Sequence, residues 1–332
     1  MVKFIVKRVL ISVVILLFVM LCIYALMHSL PTSYVETQAL ELSQKPGQTK
    51  TREELVAEMN AKYGMDKGIL GGYFVYLGNF FTGNYGDSWY YTIPVIAEFH
   101  KVIWNSFILG VISFIIEMFI AIPLGVLAAR KQYSATDYAV TVVSLIGISL
   151  PTFFTAALLK LIFATKLGWF EVAGMHNARL IVGKTATQAE YFWDACAHYV
   201  LPALTLIIVS IGGMMRYTRT NMLEVLNSDY IRTARAKGVP EKKVINHHAF
   251  RNTLVPLVTI IGGSLPGLFA GALITETLFS IEGIGYASYH AMIGGDIPFT
   301  MFYLTFMAVL TLTGNLISDI LYAVVDPRVR IA

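Results

Sequence analysis

Charge is scarce in this chain. Of its 332 residues 14% are charged and 56% are hydrophobic, against about 25% and about 45–50% in ordinary soluble domains. A water-soluble fold needs a charged surface even over a large core. That class is excluded, because the few charges are gathered into short stretches between long apolar runs. Cysteine is scarcer still: Cys22 lies in the first apolar run and Cys196 is the other, so there is no disulfide framework. No Gly-rich loop ends in Gly-Lys-Ser/Thr, so the chain itself is not expected to bind or hydrolyse ATP. The seven histidines, at 28, 100, 176, 198, 247, 248 and 290, are scattered without metal-ligand spacing. The adjacent pair His247-His248 cannot face one ligand from a helix. No catalytic constellation stands out, and the expectation is of neither an enzyme nor a metal site.

What the chain has is long hydrophobic segments. A bilayer span needs about 20 apolar residues to cross about 30 Å of hydrocarbon. Val9–Leu26, preceded by Lys3, Lys7 and Arg8, is too long for the apolar core of a signal peptide and reads as a retained first helix. Further spans are expected at about 103–129, 138–165, 199–215, 254–278 and 299–325. The fold class is therefore all-α integral membrane, with about six transmembrane helices. The net charge of +4 sits beside these spans rather than on a globular domain, which argues for topology signals and against nucleic acid. Most Lys and Arg fall on one side if the N-terminus is cytoplasmic, so both termini are expected in the cytoplasm.

The expected organisation is a first helix over 1–30, an external segment over 31–101, a bundle over 102–325 containing a cytoplasmic loop at 218–252, and a tail at 326–332. Within the external segment, Leu55, Met59 and Lys62 mark one face of a short helix over 51–62. The aromatic stretch Tyr73-Phe-Val-Tyr-Leu-Gly-Asn-Phe-Phe81 suits a membrane interface. In the cytoplasmic loop, Ser228 or Asp229 can cap a short helix that includes Ala234 and Ala236, and Gly238-Val-Pro240 stops it. A second helix is expected over about 241–251, burying Val244, Ile245 and Phe250. Two readings stay open for the loop: an amphipathic helix resting on the membrane, or a docking helix whose small residues allow close approach.

The stretch Asp229-Tyr-Ile-Arg-Thr-Ala-Arg-Ala-Lys-Gly238 resembles the Glu-Ala-Ala…Gly loop of ABC importer permeases, in the form found in bacterial oligopeptide and dipeptide permeases. Ile122-Pro-Leu-Gly-Val-Leu-Ala-Ala129, Ile148-Ser-Leu-Pro-Thr-Phe-Phe154, Thr275-Glu-Thr-Leu-Phe279 with Gly283-Ile-Gly285, and the ending from Asn315 to Arg330 agree with it. The external segment, with Tyr63-Gly-Met-Asp66 and Tyr76-Leu-Gly-Asn-Phe80, is similar to that of the first permease of the pair. The chain departs from the pattern at Arg232, where the general motif has Glu, at Val255-Pro256, and at Val102-Ile-Trp-Asn-Ser106, where a Leu-Pro is usual.

The resemblance implies a type I ABC importer permease in the bacterial inner membrane. It also implies a second homologous permease, two ATP-binding subunits that carry the ATP and Mg, and an extracytoplasmic protein that captures peptide. Asp229, Tyr230, Arg232, Thr233, Ala234, Arg235, Ala236, Lys237 and Gly238 would then form the coupling helix to the ATPase. Charges inside spans are functional suspects, because a carboxylate at mid-bilayer costs about 2.5–3.5 kcal/mol even on insertion scales. Glu117 could meet a peptide amine or pair with a neighbouring helix. Glu276 stands before the loop Gly283-Ile-Gly285, where an external gate could lie. Lys160 is expected to snorkel to the interface. Another small solute, such as a nickel chelate or glutathione, and a self-contained secondary transporter are the competing readings.

Overall fold

A computed structural model of the chain describes residues 2–30, 33–44, 49–177, 180 and 187–325. The tail expected at 326–332 lies outside them. Among the described residues the ordered elements are helical. Those long and apolar enough to cross a membrane are α1 (Val2–His28), α5 (Val95–Arg130), α8 (Gln188–Leu226) and α13 (Ile297–Val325). Two bent pairs bring the number of spans to as many as six.

The first bent pair corrects an expectation. The span foreseen at 138–165 is two helices, α6 (Ala135–Ser149) and α7 (Thr152–Leu159), the latter continued by a wide π-type turn over Lys160–Lys166. Their axes bend by 102° at Leu150-Pro151, where proline disfavours helical geometry in the residue before it. Leu150 is accordingly extended, with ψ of 124°.

The second pair also moves a boundary. Glu241–Lys243 and a π-type turn over Val244–Ala249 run into α10 (Phe250–Phe269), with a bend of 42° near Pro256. The helix foreseen at 241–251 is thus the entry of a span and not a separate piece. That span ends at Phe269 rather than near residue 278. After the turn at Gly271 come two shorter helices, α11 (Leu273–Phe279) and α12 (Ile284–Ile293).

The fourth span is much longer than hydropathy indicates. At 1.5 Å per residue the 39 residues of α8 extend about 58 Å, well beyond the hydrocarbon. Its start is fixed by a capping box in which Thr187 and Glu190 exchange hydrogen bonds. Residues 188–198, which include Gln188, Glu190, Asp194 and His198, therefore continue the helix past the apolar stretch.

The chain divides into two compact units. Unit 1 comprises Met1–Val102 and Ala287–Leu316. It contains α2 (Ser33–Ser43), α3 (Arg52–Tyr63) and α4 (Gly68–Phe81) beside α1. Leu55 and Met59 of α3 are buried as expected, whereas Lys62 is exposed. The Thr51 hydroxyl accepts from the Glu54 amide while the Glu54 carboxylate accepts from the Thr51 amide, which starts α3. The Tyr24 hydroxyl donates to the Gly64 carbonyl at 2.9 Å and that of Tyr73 to the Leu17 carbonyl at 2.8 Å, pinning α3 and α4 to α1. The side chain of Asp296 accepts from the Ser88 hydroxyl and from the Tyr90 and Phe299 amides. The Asp296 carboxylate thus caps α13 and fixes the turn before α5.

Unit 2 comprises Ile103–Tyr286 and Ile317–Ala332. Its core lies between α5, α6, α8 and α10, with Ala121, Ala128, Met215 and Leu257 buried. The candidate site residues all fall in this unit.

Candidate functional site

The segment Asp229–Ala236 is a helix of its own, α9. Asn227 ends α8, and Ser228 takes the extended backbone of an N-cap. The Ser228 hydroxyl, however, donates back to the Val225 carbonyl instead of capping α9. At the other end Gly238 has φ of +74°, a left-handed conformation that only glycine adopts without cost. The Val239 amide then closes on the Ala234 carbonyl at 3.2 Å. The sequence locates both ends of α9 correctly, with Ser228 at the N-cap position but its hydroxyl making no cap bond.

The helix has two unlike faces. Ile231 is fully buried among Met222, Val244, Ile245 and Ala249, and Ala234 and Val239 pack against the same cluster. The rest is open: Asp229, Tyr230, Arg232, Thr233, Ala236, Lys237 and Gly238 are exposed. Arg232 stands 3.6 Å from Asp229, both at the surface. Arg235 is committed elsewhere, reaching Glu241 with two hydrogen bonds of 3.1 and 2.8 Å. The hydrogen-bonded Glu241 carboxylate raises the Arg235 guanidinium above its already high value, so it stays charged. The fork ties α9 to the start of the next span across the Gly238 turn. Of the nine residues singled out, Ala234 and Arg235 are therefore holdfasts, and the other seven present a surface.

The two carboxylates lie apart from α9 and from each other. Glu117 on α5 is buried and faces Ser210 on α8, whose own hydroxyl donates to the Leu206 carbonyl at 2.8 Å. Glu276 is completely buried. One of its oxygens accepts from the Ser106 hydroxyl at 2.6 Å and the Ala272 amide at 2.8 Å, and the other from the Tyr286 amide at 2.8 Å. The Ser106 hydroxyl in turn accepts from the Ile284 amide at 2.7 Å. A Cβ on Gly283 would strike this carboxyl, and one on Gly285 would come within 2.9 Å of the Leu273 amide. The two glycines are required by close approach. Ser106, 170 residues away in sequence, was not singled out beforehand, and no local signal points to it.

Lys160 also differs from expectation. Its ammonium donates to the Leu278 carbonyl and lies 5.4 Å from the Phe279 ring centre. The C-terminal end of a helix carries partial negative charge, which holds a cation that would otherwise reach for water.

Comparison with known sequences gives the family. The family model for the inner membrane component of binding-protein-dependent transport systems matches residues 121–331, and the model for the N-terminal part of such components matches residues 1–96. The chain belongs to this family. It is an integral membrane permease with the type I ABC importer fold. Among its relatives, the oligopeptide transport system permease protein AppB of Bacillus subtilis is 35% identical, over 99% of this chain and 100% of its own length. The dipeptide permease DppB of Lactococcus lactis is 35% identical over 81% of this chain and 83% of its own. The di/tripeptide permease DppB of Pseudomonas aeruginosa is 34% identical, over 94% of each. In the permease, α9 and the turn after it carry the seven exposed residues named above.

Proposed function

We propose that this permease imports peptides: with a second homologous permease it forms the pathway, an extracytoplasmic binding protein delivers the peptide, and two ATP-binding subunits dock on α9. The observation that carries the coupling role is the two-faced short helix. Its inner face is anchored through Ile231 and its C-terminal end is tied by the exposed Arg235–Glu241 fork, while its outer face offers Tyr230, Thr233 and the small Ala236. A ligand shifts a conformational equilibrium only through differential contacts with the two states. Movement of an ATPase pressed on that face would pass into the bundle through the anchor. The peptide cargo rests on the relatives at about a third identity along the whole chain. ATP and Mg belong to the partners, and this chain carries no cofactor. The membrane is the bacterial inner membrane, with both termini cytoplasmic.

Glu117 and Glu276 support the pathway rather than line it in this reading. Glu276 holds the loop at 271–286 in one shape, and an external gate would form on that loop.

The test is peptide uptake and peptide-stimulated ATP hydrolysis in vesicles holding the assembled complex, native against Ala236→Trp. A tryptophan at this exposed position disturbs no packing within the subunit. Assembly with uptake and stimulation both lost supports the reading. Unchanged uptake and stimulation in the variant removes α9 from the coupling. Uptake of glutathione or a nickel chelate but no peptide overturns the cargo, and peptide uptake without ATP overturns the ATP-driven mechanism.

A further inference from the structure

A second polar feature of unit 2 has no part in the coupling surface. α6 and α8 cross with their backbones nearly touching: a Cβ on Gly147 would lie 2.6 Å from the Ile208 carbonyl oxygen, and one on Gly212 would strike that of Ser144. One end of the crossing is locked by Arg219, whose guanidinium donates to both oxygens of the buried Asp137 at 2.6 and 2.9 Å. Between these two fixed points the helices leave a groove of about 410 Å³. Its floor is apolar, with Val140 and Met215 buried, and Leu145 at its rim is half exposed.

The polar groups of the groove are all donors or hydroxyls: Arg216, Thr141, Ser144 and Thr220. The Ser144 and Thr220 hydroxyls donate to carbonyls of their own helices. Arg216 and Thr141 have no side-chain partner among the described residues. Arg219 is paired with Asp137 through its Nε and one Nη, which leaves Arg216 as the positive charge of the groove without an ionic partner among the described residues. Arg216 follows directly on the apolar stretch that ends at Met215, at the level where a span meets lipid headgroups. A guanidinium suits a phosphate better than an ammonium does, because its fork can bond two oxygens at once. Basic pockets between transmembrane helices are suited to anionic headgroups.

We propose that this groove binds the phosphate of an anionic phospholipid from the leaflet beside the 218–252 loop. Arg216 and the Thr141 hydroxyl hold the phosphate, and an acyl chain follows the apolar wall past Leu145. A zwitterionic peptide fits less well, since Asp137 is consumed by Arg219 and leaves no carboxylate for its amine. The inference requires that the chain spans a membrane but does not depend on its cargo.

The experiment equilibrates the purified assembly with mixed micelles of phosphatidylglycerol and phosphatidylethanolamine in equal amounts, and measures the retained lipids by mass spectrometry. The native complex is expected to favour phosphatidylglycerol about tenfold, the size of one charge-assisted hydrogen bond. Arg216→Gln should abolish that preference, whereas Lys131→Gln, which removes an exposed charge outside the groove, should keep it. If Arg216→Gln does not assemble, Thr141→Leu carries the same expectation of loss. An unchanged preference in the groove variant, or none in the native complex, overturns the proposal. Displacement of the lipid by millimolar inorganic phosphate alone would reassign the groove to free phosphate, and displacement by dialanine would make it a substrate site. Transport is not read, so the outcome stands apart from the coupling test.

Discussion

The loop held by Glu276 and the helix α9 are both short polar interruptions of an apolar bundle, and they are built in opposite ways. Around Glu276 each oxygen of a fully buried carboxylate meets donors from within the subunit. On α9 a single buried isoleucine and one ionic fork hold the helix, and the other polar side chains face outward. Buried polar groups that are fully paired rigidify a structure. A helix this short has little stability of its own, so α9 is kept by its anchors and exposes its outer face. The first region is built as scaffold, and the second has the exposed face that the proposed docking requires.

Substitutions can break that contrast. Glu276→Ala should have the largest effect: it leaves the Ser106 hydroxyl and the amides of Ala272 and Tyr286 unpaired in a buried site, at a cost of about 4 kcal/mol. A marked drop in the thermal midpoint of the purified assembly checks this. Arg219→Ala strands the buried Asp137 carboxylate and should cost about 3 kcal/mol, read by the same melt. Ile231→Ala empties the anchor of α9, costs about 2 kcal/mol, and should weaken retention of the ATPase subunits during purification. Smallest in stability is Ala236→Trp, within about 0.5 kcal/mol as for an ordinary surface change. Its effect should lie in peptide uptake and stimulated ATP hydrolysis and not in the melt. A melt for Ala236→Trp as low as that for Glu276→Ala would erase the distinction between the two regions.

The sequence was legible where local chemistry decides. Leu55 and Met59 marked the buried face of α3, and Gly238 stopped α9. It was less legible where hydropathy stood in for geometry. The run at 138–165 carries Lys160 as its one charge, so only Pro151 hinted at a 102° turn. α8 outruns its apolar core because a capping box, not hydrophobicity, sets its start. The partners of the buried charges were the least accessible. Ser106 with Glu276, Ser210 with Glu117 and Asp137 with Arg219 are brought together by tertiary packing over long sequence separations, and no spacing rule reports them. Ser106 acquires its role only in the fold, where its hydroxyl sits between Glu276 and Ile284.

The most direct test of α9 as the contact surface is site-specific cross-linking from Thr233, on its exposed face. Cys22 and Cys196 are both exposed, so the variant Thr233→Cys is made with both replaced by serine and is treated in the assembled complex with a short thiol-reactive photo-cross-linker. The account expects a product joining this chain to an ATPase subunit, with a yield that changes when ATP is added. A complex that assembles and hydrolyses ATP yet gives no such product, with or without ATP, would contradict it.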